Sequence, residues 1–187
     1  MYVPETDPDS QPNQALIKPS QRGPIYLTPA ELATYDGTDE SKPIYLAING
    51  SIFDVSSNRR TYGPGGSYHF FAGCDGGRAY VTGCFAEDRT ADMRGVEAMF
   101  LPLDDPAVDK YWTTAQFNEI KRRERVEAEK KVEEGLAHWV NFFKNSPKYG
   151  LVGYVKREKG WPATEPLRPL CEQAEKGRKK RTAPGQA

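Results

Sequence analysis

The chain has 187 residues, which suits one domain with tails, because domains usually hold about 100 to 150 residues. Its 26 basic side chains balance 26 acidic ones, which argues against a surface built for nucleic acid, and no nucleic-acid partner is expected. Apolar residues make up 37% of the chain and charged residues 28%, so strongly polar segments must accompany a modest core.

Crossing a bilayer takes about 20 consecutive apolar residues, and no run in this chain approaches that length. No basic start followed by an apolar run indicates a signal peptide, so a soluble chain without a transmembrane segment is expected. Cys74, Cys84 and Cys171 form no CxxC pair and leave one thiol over, which favours a reducing compartment. Cys74 and Cys84 are then most simply small buried hydrophobes.

Residues 1–22 are rich in Pro, Gln, Asp and Ser and are expected to be disordered. The ordered domain is expected to begin at residue 23. In the sequence LTPAEL, Thr28 can cap a helix, Pro29 fits its first position and Glu31 completes a capping box. A short helix should therefore end near Thr34.

Two apolar runs follow, from Ile44 to Ile48 and from Ile52 to Val55. Between them lies Asn49-Gly50, the pair that best tolerates the positive φ angles of a two-residue turn. The pattern predicts a β-hairpin.

The next stretch, TYGPGGSYHFFAG, places Tyr62 and Tyr68 around four glycine and proline residues. Glycine lets the backbone turn sharply or press against a flat ligand, and proline fixes φ for the turn. Short helices or turns are expected from there to Phe85.

From Thr114 to Asn145 the pattern is helical, with apolar residues concentrated at the two ends. The middle, Lys121 to Glu134, has six basic and five acidic residues, so it is expected to be a solvated extension that does not touch a binding pocket. A strand is predicted from Lys148 to Val155. Residues 156–187 carry nine basic and four acidic side chains and are expected to form a disordered tail.

Several motifs occur together in this order of elements: YLAINGSIFDVS, YGPGGSY, FAGCD, WVNFF and KYGLVG. In combination they resemble the membrane-associated progesterone receptor family, a branch of the cytochrome b5-like haem/steroid-binding fold. The resemblance implies an α+β domain over residues 23–155, with a helical insertion at about residues 104–135 and disordered tails on both sides.

The YGPGGSY loop sets the chain apart from cytochrome b5 itself, which carries a haem-ligating histidine in an HPGG motif. Gly63 stands in that position here, so a bis-histidine haem site is not expected. Of the two histidines, His138 is expected to pack beside Trp139, whereas His69 adjoins Tyr68 and stays an alternative ligand.

The resemblance implies that Tyr68 is the axial ligand of ferric haem b, with Tyr62 beside the haem. A phenol has a pKa of about 10 in water, and coordination to ferric iron stabilises its anion. The family's Lys-Tyr pair matches Lys148 and Tyr149, which would support the phenolate or a haem propionate. Asp75 matches the family's aspartate and is expected to organise the loop rather than to bind iron.

By resemblance the protein is expected to carry haem, or to assist haem-thiolate monooxygenases in sterol metabolism, without being an enzyme. A phenolate ligand with no second ligand predicts five-coordinate, high-spin ferric iron, whose open face would permit a haem-mediated homodimer. A position on the cytosolic side, associated with the endoplasmic reticulum membrane, is also implied. The alternatives are a haem-free module for a steroid or small lipid, and an interaction adaptor that uses the charged helix and basic tail.

Overall fold

The computed structural model describes residues 23–185; the expectation for residues 1–22 lies outside them. Four strands and six helices follow one another as β1 (Ile25–Leu27), α1 (Pro29–Ala33), β2 (Tyr45–Ile48), β3 (Ser51–Asp54), α2 (Arg59–Tyr62), α3 (Gly77–Thr82), α4 (Pro106–Asp109), α5 (Thr114–Lys144), β4 (Gly150–Val155) and α6 (Glu172–Lys176). Short 3-10 turns lie at Ser56–Asn58, His69–Phe71 and Val96–Phe100. The mixed α and β content matches the predicted fold class.

The capping box at the start of α1 is confirmed. The Glu31 backbone N–H donates to the Thr28 hydroxyl at 3.2 Å, and the Thr28 backbone N–H donates to the Glu31 carboxylate at 2.7 Å. The hairpin of β2 and β3 is confirmed as well. Asn49 and Gly50 have φ angles of 50° and 78°, the left-handed conformation that a tight hairpin turn needs.

The four strands form one sheet in the order β1-β4-β3-β2. β1 runs parallel to β4, and the other neighbours are antiparallel. The strand predicted near the C-terminal end of the domain is therefore central, although it follows its neighbour β3 by almost 100 residues in the chain. Its position brings the residues just before β4 next to the turn that follows β3.

Strand β2 is continuously apolar because both faces of the sheet are covered. On one face a core forms around Ile44, Leu46 and Phe53, together with Leu136 and Phe143 of α5. On the other face Tyr45, Ala47 and Ile52 pack with Leu32 of α1 and with residues of β1 and β4. Alternate residues of a strand point to opposite faces, so a run buried on both faces reads as continuously apolar.

The long helix α5 is confirmed, but its charged middle is less solvated than the sequence suggests. Ala128 and Val132 are buried, and α5 packs against α3 and the 3-10 turn at Val96–Phe100. Small apolar residues on one face are enough for this packing while the charges remain on the other faces. Neither α5 nor any other helix between residues 23 and 185 combines the length and apolar character needed to cross a membrane.

The C-terminal segment differs from the disordered tail that its composition indicates. Residues 156–185 are described, include α6 and pair with the domain through a bridge between Leu103 and Lys180. The fully buried Arg78 donates to Asp88 at 3.0 Å and to the Pro169 carbonyl of this segment at 3.2 Å. A buried guanidinium needs several acceptors, and the segment supplies one of them.

Arg181 fixes the far end of the segment to the start of α5. Its guanidinium donates to Glu124 at 2.7 Å, to Asp109 at 2.6 Å and to Asp104 at 3.2 Å. The hydrogen bond to Glu124 is the main reason that its pKa is raised. The basic run that indicates a solvated tail therefore finds its acidic partners in the domain.

Cys84 and Cys171 form a disulfide, with Cα atoms 6.4 Å apart, and Cys74 is the free cysteine among residues 23–185. This contradicts the expectation that Cys84 is an unpaired small hydrophobe, and disulfides persist where the environment is oxidising. The sequence analysis misses the pairing because the two cysteines lie 87 residues apart and the segment that carries Cys171 is read as disordered.

Candidate functional site

Ten aromatic side chains touch one another at the end of the domain where the glycine loop meets α5. Centroids of neighbouring rings lie between 4.1 and 6.5 Å apart. This aromatic cluster consists of Tyr62, Tyr68, Phe70, Phe71, Tyr80, Phe85, Trp139, Phe142, Phe143 and Tyr149. It contains three of the five predicted site residues and brings Tyr149 next to Tyr62 and Tyr68, which lie about 80 residues earlier in the chain.

Tyr62 and Tyr68 occupy different depths in the aromatic cluster. Tyr62 ends α2 and is buried, whereas Tyr68 is 47% exposed, and their ring centroids lie 6.2 Å apart. Burial, and then the neighbouring Tyr149 phenol, raise the pKa of Tyr62, so its phenol stays protonated at neutral pH. The exposed phenol of Tyr68 is the one that a ligand can reach from solvent.

The glycines of the loop serve mainly the chain itself. A Cβ atom at Gly66 would lie 2.2 Å from the Thr61 carbonyl oxygen, closer than any side chain allows. The loop folds back on the end of α2, and the Tyr68 backbone N–H donates to the same Thr61 carbonyl at 3.0 Å. The glycines therefore allow the loop to lie close to the backbone of the chain itself, and this packing sets the position of Tyr68.

Lys148 and Tyr149 are positioned by the turn that follows β3. The Ser57 hydroxyl donates to the Lys148 carbonyl at 2.8 Å, and the Asn58 amide donates to the Tyr149 hydroxyl at 3.2 Å. The Tyr149 ring meets the edge of Tyr62 with centroids 5.9 Å apart. The Lys148 side chain is exposed and, within residues 23–185, forms no ion pair. Its ammonium is available to an anionic group of a ligand.

Asp75 holds distant parts of the chain together. Its buried carboxylate accepts from the Gly50 backbone N–H at 2.8 Å and the Gly77 backbone N–H at 3.3 Å, and it pairs with Arg157 at 3.4 Å. It therefore joins the hairpin turn to α3 and to the C-terminal segment. These contacts fit the expected role of a loop organiser.

The two histidines lie in different surroundings. The Nε2 atom of His69 lies 3.0 Å from the Asp36 carbonyl oxygen, an interaction in which the ring N–H donates. His138 is exposed and meets the edge of Trp139 at 5.3 Å, so it packs beside that ring as expected, although more exposed than half-buried.

The sequence analysis does not single out Tyr80 or Asn58. Tyr80 lies on α3, and its ring stacks on Phe71 with centroids 4.1 Å apart. Its hydroxyl is buried and has no hydrogen-bond partner among the described residues. A tyrosine at an apolar helix position gives no indication in the sequence that its hydroxyl is buried without a partner.

The chemistry of these groups fits a haem. A flat apolar macrocycle needs apolar rings, which the half-buried Trp139 and the exposed Phe142 present at the surface. Ferric iron needs an oxygen or nitrogen donor, and the exposed Tyr68 phenol offers one. The carboxylates of haem need a cation, and Lys148 lies beside the aromatic cluster. The same rings also suit the flat apolar body of a steroid.

Comparison with known proteins agrees with this fold. The model of the Cytochrome b5-like Heme/Steroid binding domain matches residues 28–130, more than half of the chain. The chain belongs to this family. A solved Arabidopsis thaliana structure, described as having a cytochrome b5 like fold, is 31% identical with a TM-score of 0.50, covering 73% of this chain and 94% of that one.

Curated relatives of this haem/steroid-binding family member are named as binding proteins. Neuferricin of Danio rerio is 52% identical over 63 residues, 34% of this chain and 24% of the relative. Membrane steroid-binding protein 2 of Arabidopsis thaliana is 46% identical over 98 residues, 52% of this chain and 40% of the relative. Another Arabidopsis thaliana relative is named membrane-associated progesterone-binding protein 4. The chain thus spans well under half the length of these relatives.

Proposed function

We propose that the domain binds ferric haem b, with Tyr68 as the axial ligand of the iron. The observation that carries this proposal is the exposed Tyr68 phenol at the edge of the aromatic cluster. Bound haem would supply a ferric iron centre that could also take up a small ligand or meet a partner.

The other cluster residues have separate roles in this proposal. Tyr62 and Tyr149 line the site with phenols, and Lys148 balances the charge of the phenolate or of a haem carboxylate. Asp75 supports the site from outside by fixing the loop that leads into α3. The site offers phenols and apolar rings instead of a nucleophile beside a base, so we propose a binding role and no catalytic one.

At the level of the whole protein, we propose a haem carrier or an accessory to haem-thiolate monooxygenases in sterol metabolism. A phenolate favours ferric iron, which suits carriage and regulation better than rapid electron transfer. The names of the relatives support membrane association, and the Cys84–Cys171 disulfide supports the oxidising side of a membrane instead of the cytosolic side.

A haem-free steroid site is the second candidate, because relatives are named for steroid or progesterone binding. Titration of purified wild-type protein with ferric haem and, separately, with progesterone distinguishes the two. We expect haem to bind with one-to-one stoichiometry and to give a high-spin ferric electron paramagnetic resonance spectrum. Saturable progesterone binding with no haem uptake would support the second candidate and contradict the first.

A further inference from the structure

The hydroxyl of Tyr80 is a buried polar group for which the described residues supply no partner. Its ring lies among apolar rings, with centroids 4.1 Å from Phe71, 5.1 Å from Trp139 and 6.1 Å from Phe143. Buried hydroxyls in folded proteins almost always form hydrogen bonds, because leaving one unpaired costs free energy. An unpaired group of this kind calls for a functional explanation.

The position of Tyr80 connects its hydroxyl with the candidate ligand region. Phe71 separates its ring from the exposed ring of Tyr68, and Phe143 separates it from Tyr62. Burial raises the pKa of Tyr80, and the nearby phenols of Tyr62, Tyr149 and Tyr68 raise it further. Tyr80 is therefore a neutral hydroxyl at neutral pH, able to donate one hydrogen bond.

A chain of ring contacts connects Tyr80 with the protein surface. The half-buried Trp139 contacts the Tyr80 ring, and Trp139 in turn contacts Phe142, which is 51% exposed. Side chains at exposed positions change rotamer on a fast timescale, so a flat ligand seated against these rings can gain access to the hydroxyl.

We propose that Tyr80 is a ligand-recognition residue, whose hydroxyl donates a hydrogen bond to an oxygen atom of the ligand bound in the aromatic cluster. This inference rests on the proposed function, since it requires a ligand at that site. The chemistry it selects is an oxygen acceptor, which a haem carboxylate and a steroid ketone both provide. Ligands of the same shape without such an oxygen would bind more weakly.

The test replaces only the hydroxyl, in the variant Tyr80→Phe. Without ligand, the variant should unfold at the same temperature as wild type or a higher one, because the orphaned hydroxyl is gone. Its affinity for the ligand should fall about tenfold, the loss expected for one hydrogen bond. Ferric haem and progesterone are titrated separately. The ligand whose affinity falls in Tyr80→Phe is the one that supplies the oxygen acceptor.

Tyr45→Phe is the matched control, because Tyr45 is a buried tyrosine in the core on the opposite face of the sheet. It should leave both affinities unchanged. Unchanged affinity in Tyr80→Phe, with wild type binding normally, would overturn the role of Tyr80 alone. A lower unfolding temperature of ligand-free Tyr80→Phe would show that the hydroxyl already has a partner and would also overturn it. Wild type that takes up neither ligand would overturn the proposed function itself.

Discussion

The ring of His69 donates a hydrogen bond from Nε2 to the backbone carbonyl of Asp36, over a distance of 3.0 Å. The carbonyl can only accept, so Nε2 carries the proton and Nδ1 is the ring atom of His69 that is left to bind a metal. The adjacent Tyr68 is half exposed, whereas His69 is half-buried. The two neighbouring candidates for an iron ligand therefore differ in exposure and in the atoms that are free to bind.

The first prediction follows from this difference. His69→Ala should keep the haem affinity and the high-spin ferric spectrum of wild type, whereas Tyr68→Phe should lose the spectrum, because phenylalanine has no donor atom. Titration with ferric haem, followed by absorbance and electron paramagnetic resonance, measures both. A wild-type spectrum in Tyr68→Phe together with its loss in His69→Ala would identify His69 as the ligand.

Lys148→Ala and Tyr149→Phe should each weaken haem retention by about 10-fold to 100-fold, the usual effect of removing a group that supports a metal ligand. Neither variant should unfold the domain, since Lys148 is exposed and the Tyr149 ring remains in place. The rate of haem transfer to excess apomyoglobin measures retention, and circular dichroism checks the fold. Lys144→Ala, an exposed lysine at the end of α5, serves as the control. Wild-type retention in both variants would remove the pair from the site.

Asp75→Asn should lower the free energy of unfolding by about 2 kcal/mol, because the change weakens hydrogen bonds and an ion pair to a buried carboxylate. The folded fraction should still bind haem with wild-type stoichiometry. Urea denaturation and haem titration measure the two quantities. Asp39→Asn is the control: its carboxylate is exposed and pairs with Lys42, so the cost should stay below about 0.5 kcal/mol. A haem spectrum altered in Asp75→Asn at full folding would place Asp75 in the site.

Cys171→Ser should lower the free energy of unfolding by about 2 to 4 kcal/mol, since the disulfide closes a loop of more than 80 residues. Reduction of wild type with dithiothreitol should have the same effect. The double variant Cys84→Ser/Cys171→Ser should be indifferent to the reductant, which controls for effects on Cys74. Two free thiols in addition to Cys74, found by alkylation of unreduced protein and mass spectrometry, would contradict the pairing.

Glu124→Gln should loosen the C-terminal segment, because it removes the main partner of the Arg181 guanidinium. We expect a loss of about 1 to 3 kcal/mol in the local stability of this segment, and an unchanged haem affinity, since α5 meets the aromatic cluster only at its other end. Hydrogen exchange of residues 172–181 measures the first quantity. Glu127→Gln, at an exposed position of the same helix, is the control. A lower haem affinity would show that the charged part of α5 belongs to the site.

Much of the fold follows from local patterns. The capping box at Thr28 and Glu31, the Asn49-Gly50 turn and the length of α5 depend on interactions between residues close in sequence. Such interactions act through short-range sterics and hydrogen bonding, so the residue types alone predict them.

The C-terminal segment shows why composition alone is insufficient. Nine basic residues in a polar stretch are typical of disorder, yet Arg181 lies among three carboxylates contributed by Asp104, Asp109 and Glu124. A charge run is stable in a folded protein when its partners are placed within hydrogen-bond distance. The sequence does not show where those partners lie, because they are at least 57 residues away.

The candidate site likewise combines features that the sequence indicates with features that depend on the tertiary structure. The sequence by itself supplied the candidates Tyr62, Tyr68, Lys148 and Tyr149, through motifs that resemble those of the family. Only the tertiary structure decided that Tyr62 is buried, that Tyr68 is exposed and that the buried Tyr80 hydroxyl has no partner among the described residues. The physical reason is that burial and hydrogen-bond partners arise from packing between distant segments, which a local pattern of residue types does not specify.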